Sequence, residues 1–294
     1  MNLRKTISRI ALTSFALTLF AGYSLAATPE KNLVIGVAPG PYGDLFKKAI
    51  QPGLEKKGYK VEIKEFSDYV QPNLALSNGS INANLFQHLP YLEKFSKDKG
   101  LDIAPIRFSK GDKAPITVPT AGLGLYSRKI KSIDGLKNGD EITIANDPTN
   151  LARALRFLQK SGLVTLKKEI DPAKASEKDI AENPKGLKIR PIEAAQIPRT
   201  LDSVTIAVIN GNYAIAAGIP LDSALLKEEL DENLKLVVAV RTADLDKPFA
   251  RDIQAVLESA EFKKAAYNPK YVFKDFQFPA WLAVKTTAKK TAKK

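Results

Sequence analysis

Residues 86–91 hold two aromatic rings, an amide and the only imidazole of a 294-residue chain, as Phe86, Gln87, His88 and Tyr91. In extended chain Phe86 and His88 point to the same side, and Tyr91 follows just past Pro90. Tyr69, ahead of Pro72, completes a candidate aromatic wall. Such a wall suits a flexible apolar or thioether side chain, because sulfur contacts ring edges favourably. A second set of residues lies in the helix predicted over 148–161. At about 100° per residue, Asn150, Arg153 and Phe157 share a face apart from the Leu151, Leu155, Leu158 stripe. Arginine binds carboxylates through bidentate, charge-assisted bonds, and a helix N-terminus nearby favours an anion. An amide, a guanidinium and a ring in line are therefore a candidate carboxylate receptor. Asn210 closes the apolar run 206–209, and α/β sheets place ligand contacts at the carboxyl ends of strands. Each position also has an ordinary reading: core packing for Phe86, a structural hydrogen bond for His88, a solvated surface for Arg153, and a turn before Gly211 for Asn210.

Signals for catalysis are poor. A serine triad would need His88, and the chain has no Gly-x-Ser-x-Gly. It also lacks a zinc helix, a Walker loop and a Gly-x-Gly-x-x-Gly. No catalytic residue, metal ligand or cofactor is expected, and a hydrolase is the weaker alternative to a binding protein. The formal charge of +13 is concentrated at the ends: residues 1–26 carry three of those charges and residues 283–294 five, leaving +5 on 27–282. That balance is not the footprint of a nucleic-acid-binding domain.

The elements that must carry these residues alternate along the chain. Residues 1–26 have the positive start, apolar run and small-residue cleavage site of a secretory signal peptide. Without cysteine, an exported protein has no disulfides and no lipid-anchor attachment site. The expectation is a soluble periplasmic protein stabilised by its apolar cores. Strands are predicted over 33–37, 61–66, 103–108, 141–145, 187–191, 205–209 and 235–240, with helices over 42–57, 68–77, 91–99, 148–161, 247–259 and 260–267. Asp147 and Pro148 read as N-cap and first helical residue. The β-α-β-α opening favours a parallel sheet covered by helices. Interdomain crossings are expected near 115–120 and again in 235–240. The resulting division is 27–114 plus 237–282 for one lobe, 115–236 for the other, and a disordered basic tail over 283–294.

The stretches starting at Ser67 (Ser-Asp-Tyr-Val-Gln-Pro-Asn-Leu), Asn82 (Asn-Ala-Asn-Leu-Phe-Gln-His-Leu-Pro-Tyr-Leu), Leu125 (Leu-Tyr-Ser-Arg-Lys-Ile-Lys-Ser), Ala145 (Ala-Asn-Asp-Pro-Thr-Asn-Leu-Ala-Arg) and Ile206 (Ile-Ala-Val-Ile-Asn-Gly-Asn-Tyr-Ala) resemble the MetQ/NlpA family. These are substrate-binding proteins of methionine-type ABC importers. The resemblance spans nearly all of residues 31–282. It implies an α/β, two-lobed periplasmic-binding-protein fold of type II, with two crossings and methionine (L- or D-) held between the lobes. Another amino acid or a methionine-containing dipeptide is the alternative ligand. The resemblance also implies roles. Tyr69, Phe86, His88 and Tyr91 match the family's side-chain pocket, Arg153 the residue that binds the α-carboxylate, and Asn150 and Asn210 contacts to the amino-acid backbone. The implied partner is an ABC permease, with the protein itself a monomer. Two departures stand out: family members are commonly lipoproteins, and Asn82 stands where Asp is frequent.

Overall fold

The computed structural model describes residues 31–283. The signal peptide and residues 284–294 of the basic tail lie outside the described residues. Two sheets organise the rest. The first sets its main strands in the order Tyr59–Glu65, Lys31–Val37, Ala83–His88, Leu236–Arg241, Ile103–Pro105, with Thr117–Val118 also paired to Leu236–Arg241. The second runs Lys188–Ile192, Glu141–Ala145, Ile206–Asn210, Leu123–Tyr126, Leu226–Lys227.

Both sheets are built alike. Three neighbouring strands are parallel in each. The strands beyond them, Leu236–Arg241 and Leu123–Tyr126, run antiparallel to the rest. The expectation of a parallel sheet therefore holds only for the α/β-alternating part. A strand that enters directly from the other sheet, with no crossover helix, is free to pair antiparallel. The chain leaves the first sheet after Val118 and enters the second at Leu123; it leaves the second after Lys227 and re-enters the first at Leu236. The predicted strand near 235–240 is thus central in the first sheet, and the return crossing lies in the residues before it.

Each sheet has its own apolar core. Leu33, Ile35, Leu85, Val238, Ile253 and Phe262 belong to one, and Leu125, Ile142, Leu155, Leu158 and Ile206 to the other. A third cluster joins them: Tyr69, Phe86 and Tyr91 pack with Tyr126, Ala145, Ile209 and Tyr213. Close backbone approach is also required where the sheets face each other. Gly40 has φ +117°, and a Cβ there would stand 2.5 Å from the carbonyl oxygen of Asn212, so only glycine fits the Pro39-Gly40-Pro41 turn.

Candidate functional site

The strand Ala83–His88 is buried along its whole length. Its polar members are held by reciprocal amide bonds. Asn73 Nδ2 donates to Gln87 Oε1 at 2.7 Å, Gln87 Nε2 donates to Asn73 Oδ1 at 2.7 Å, and Asn84 Nδ2 donates to Asn73 Oδ1 at 2.9 Å. Buried amides persist only when satisfied in this way. The network fixes the register that leaves Phe86 and His88 facing the second sheet. Asn82 pins the start of the strand, accepting at Oδ1 from the Val34 backbone at 2.8 Å. It anchors the strand and does not line the site.

His88 has both of its ordinary and special readings at once. Its Nδ1 accepts from Tyr91 N at 3.2 Å, capping the helix Leu89–Lys99. That places the ring proton on Nε2, which faces Asn150 Oδ1 at 3.4 Å. Burial, and then the charge of Arg153, push its pKa down to about 3, so the ring is a neutral donor at physiological pH. Tyr91 donates from its hydroxyl to the Tyr69 carbonyl at 3.0 Å. The Tyr69, Phe86 and Tyr91 rings stand 5.8–6.0 Å apart, centroid to centroid. Burial holds the Tyr69 hydroxyl far above its usual pKa, keeping it a donor.

The opposite side comes from the second sheet. Asp147 caps the helix Pro148–Lys160, accepting from Asn150 N at 3.0 Å. Its two carboxylate oxygens also accept from Asn150 Nδ2, at 3.2 and 3.0 Å. The cap therefore orients the amide as well as the helix, turning Asn150 Oδ1 toward His88 and toward Asn210 Nδ2, which donates to it at 3.1 Å. Asn210 closes its strand, and its Oδ1 is buried with no partner among the described residues. Arg153 lies one turn after Asn150. Burial alone would lower its pKa, but the adjacent Glu228 carboxylate more than offsets this and the net shift is upward.

All seven predicted residues, Tyr69, Phe86, His88, Tyr91, Asn150, Arg153 and Asn210, line one cavity, and each is at most 8 % exposed. Aromatic rings form one wall and a guanidinium with two amides the other. His88 and Asn210 are terminal residues of their strands, and Pro148–Lys160 follows the strand Glu141–Ala145, so the cavity lies at the carboxyl ends of both sheets. Its volume is about 20 Å³, room for about one water molecule. Direct bonds close it: the Tyr69 hydroxyl donates to Asn212 Oδ1 at 2.6 Å, and Asn212 Nδ2 donates to the Pro39 carbonyl at 3.0 Å.

A family model described as NlpA lipoprotein matches residues 33–281. The chain belongs to the NlpA lipoprotein family. It is 36 % identical to the probable D-methionine-binding lipoprotein MetQ of Vibrio cholerae over 263 residues, 89 % of this chain and 94 % of that one. A nutrient binding protein from Burkholderia cenocepacia, solved bound to methionine, is 37 % identical with a TM-score of 0.73, covering 80 % of this chain and 95 % of that one. An ABC transporter periplasmic substrate-binding protein from Coxiella burnetii is 40 % identical, TM-score 0.71, over 80 % and 95 %. The α/β periplasmic-binding fold is shared with these neighbours.

This NlpA-family cavity corrects the sequence reading at Phe157. That residue shares a helical face with Asn150 and Arg153 on a wheel, yet packs into the second core and not against the cavity. It lies two turns along from Asn150, beyond the cavity's reach. Sequence reasoning also missed Tyr42, Asn212 and Leu236, which line the cavity with Gln87 of the opening cluster, and Glu228, which binds Arg153. Asn212 sits two residues past Asn210 and could have been drawn in by the same strand-end argument. Glu228, inside Lys-Glu-Glu, reads as an ordinary surface acid, and nothing in its neighbours signals its burial. Among the described residues no helix is long and apolar enough to cross a membrane, and no group of three or more His, Cys, Asp or Glu side chains could hold a metal ion.

Proposed function

We propose that this protein is a periplasmic solute-binding protein that captures methionine between two lobes, 27–114 plus 237–282 and 115–236, and delivers it to the permease of an ABC transporter. The observation that carries this reading is the two-sided cavity, with aromatic rings on the first sheet facing Arg153, Asn150 and Asn210 on the second. The thioether side chain packs against Tyr69, Phe86 and Tyr91, and Arg153 takes the α-carboxylate. The unpartnered Oδ1 of Asn210 accepts from the α-ammonium. His88, neutral and capping a helix, contributes a donor from Nε2. With a pKa of about 3 it is a poor base at neutral pH, and the ligand is carried unchanged. The methionine-bound Burkholderia neighbour and the D-methionine-binding Vibrio relative support the ligand class.

Entry requires the bonds across the cavity to part, since about 20 Å³ does not admit an amino acid. Ligand bridging then stabilises the closed form by its differential affinity for that form. Several relatives are named lipoproteins, whereas this sequence has no cysteine to carry a lipid. We place it as a monomer in the periplasm.

Calorimetric titration with L-methionine, D-methionine and a methionine-containing dipeptide tests the reading. At least one is expected to bind with a 1:1 stoichiometry, and Arg153→Ala to lose about 2–5 kcal/mol, the range for truncating one partner of a buried charged pair. No heat from any of the three, or unchanged affinity in the variant, sinks the assignment.

A further inference from the structure

The guanidinium of Arg153 is already shared. Its Nε donates to Glu228 Oε1 at 2.8 Å and its Nη2 to Glu228 Oε2 at 2.5 Å. Side-chain exposures of 5 % and 8 % make this a buried ion pair. Glu228 is itself fixed by the second sheet and by the C-terminal segment. Its Oε2 accepts from Leu123 N at 2.8 Å, and its backbone carbonyl accepts from Gln277 Nε2 at 2.6 Å. A carboxylate so held cannot swing away without breaking several bonds. The paired edge of the guanidinium is the Nε side, and Nη1 makes no hydrogen bond among the described residues. A ligand carboxylate can therefore bind the Nη1–Nη2 end while Glu228 keeps the other.

Charge decides what that ligand must be. Arg153 is the one charged group lining the cavity, His88 being neutral. With Glu228 behind it the pair carries no net charge, and the next charges out, Asp147 bonded to Asn150 and Arg156 whose charge reaches His88, are of opposite sign. A bare carboxylate entering here would bring a second anion to one guanidinium and leave a buried net charge, which is costly. A ligand carrying its own ammonium group cancels that charge, and the unpartnered Asn210 Oδ1 is an acceptor suited to it.

We propose that Glu228 is a specificity-determining residue: it neutralises Arg153, converting a carboxylate receptor into a receptor for a zwitterion of zero net charge. The inference rests on the reading that this cavity binds an amino acid. It is tested by titrating wild type and Glu228→Gln with methionine and with 4-(methylthio)butanoate, which lacks only the ammonium group. Wild type binds methionine strongly in preference to the desamino acid. In Glu228→Gln that preference is expected to fall at least tenfold, because the bare carboxylate gains. If both ligands tighten by the same factor, Glu228 only competes for Arg153 and the proposal fails. If both weaken equally, Glu228 merely supports the fold of the site and the proposal fails again. Should Glu228→Gln lose its cooperative melt, Glu228→Asp decides: charge retained predicts a preference within threefold of wild type, and a tenfold change overturns the proposal. A wild type that binds neither ligand defeats the proposed function, an outcome separate from any change in preference.

Discussion

His88 shows how one side chain serves the fold and the site together. Its Nδ1 belongs to the helix cap and its Nε2 faces the cavity, so protonation on Nδ1 costs the cap as well as placing a charge near Arg153. The native pKa of about 3 lies below the ordinary value of 6.5. Between the two the unfolded chain binds a proton that the native protein refuses. The stability this group contributes is therefore full above pH 6.5 and is lost as pH falls toward 3, with a limiting slope of about 1.4 kcal/mol per pH unit. Urea unfolding of wild type and His88→Gln at intervals from pH 7 to 4 should show a shallower acid-side loss in the variant. Carboxylates titrate in both proteins and cancel in the difference. Parallel curves would mean that His88 is not held neutral.

At the scale of elements, the cap of the helix Pro148–Lys160 is where folding and recognition meet. Asp147 accepts from the backbone N–H of Asn150 and, through both carboxylate oxygens, from its side-chain Nδ2. Asp147→Ala should cost about 1 kcal/mol of stability, the usual value of an N-cap. It should also weaken methionine binding about tenfold, through a misoriented Asn150, if that bond is worth the ~1.4 kcal/mol of a factor of ten. Unfolding and titration of one variant read both, and a stability loss with unchanged affinity would separate cap from site. The cap and helix were legible beforehand because Asp-Pro followed by a 3.6-residue stripe is local information. So was the strand end at Asn210, and the family motifs brought all seven site residues together, whereas the strand Ala83–His88 itself was not predicted. What could not be read was non-local. The antiparallel strands Leu123–Tyr126 and Leu236–Arg241 carry the same apolar runs as parallel ones. Phe157 obeys the helical wheel but lies too far along the axis. Glu228 is buried only because Arg153 and Leu123, both distant in sequence, converge on it.

At the scale of the whole molecule, the two sheets touch through a few polar bonds laid over an aromatic cluster. Asn212 makes two of them, accepting from Tyr69 and donating to the Pro39 carbonyl, and both partners belong to the first sheet's side. Gln277 works differently. Its backbone pairs with Thr120 on one crossing, and its side chain bonds Glu228 and Leu230 on the other, so it ties the two crossings to each other and bridges no part of the cavity. Closure should therefore depend on Asn212 far more than the fold does. Net hydrogen bonds contribute about 0.5–1.5 kcal/mol each, and two lost bonds amount to about 1–3 kcal/mol, a shift of order tenfold (roughly five- to 150-fold) toward the open form. Since interface changes act mainly on dissociation, Asn212→Ala should release methionine about tenfold faster while binding it at a similar rate, as stopped-flow mixing would record. X-ray scattering should show a larger radius of gyration than wild type at subsaturating ligand, converging at saturation. An unchanged dissociation rate would mean that the aromatic cluster of Tyr69, Phe86, Tyr91 and Tyr213 closes the cleft without help from these bonds.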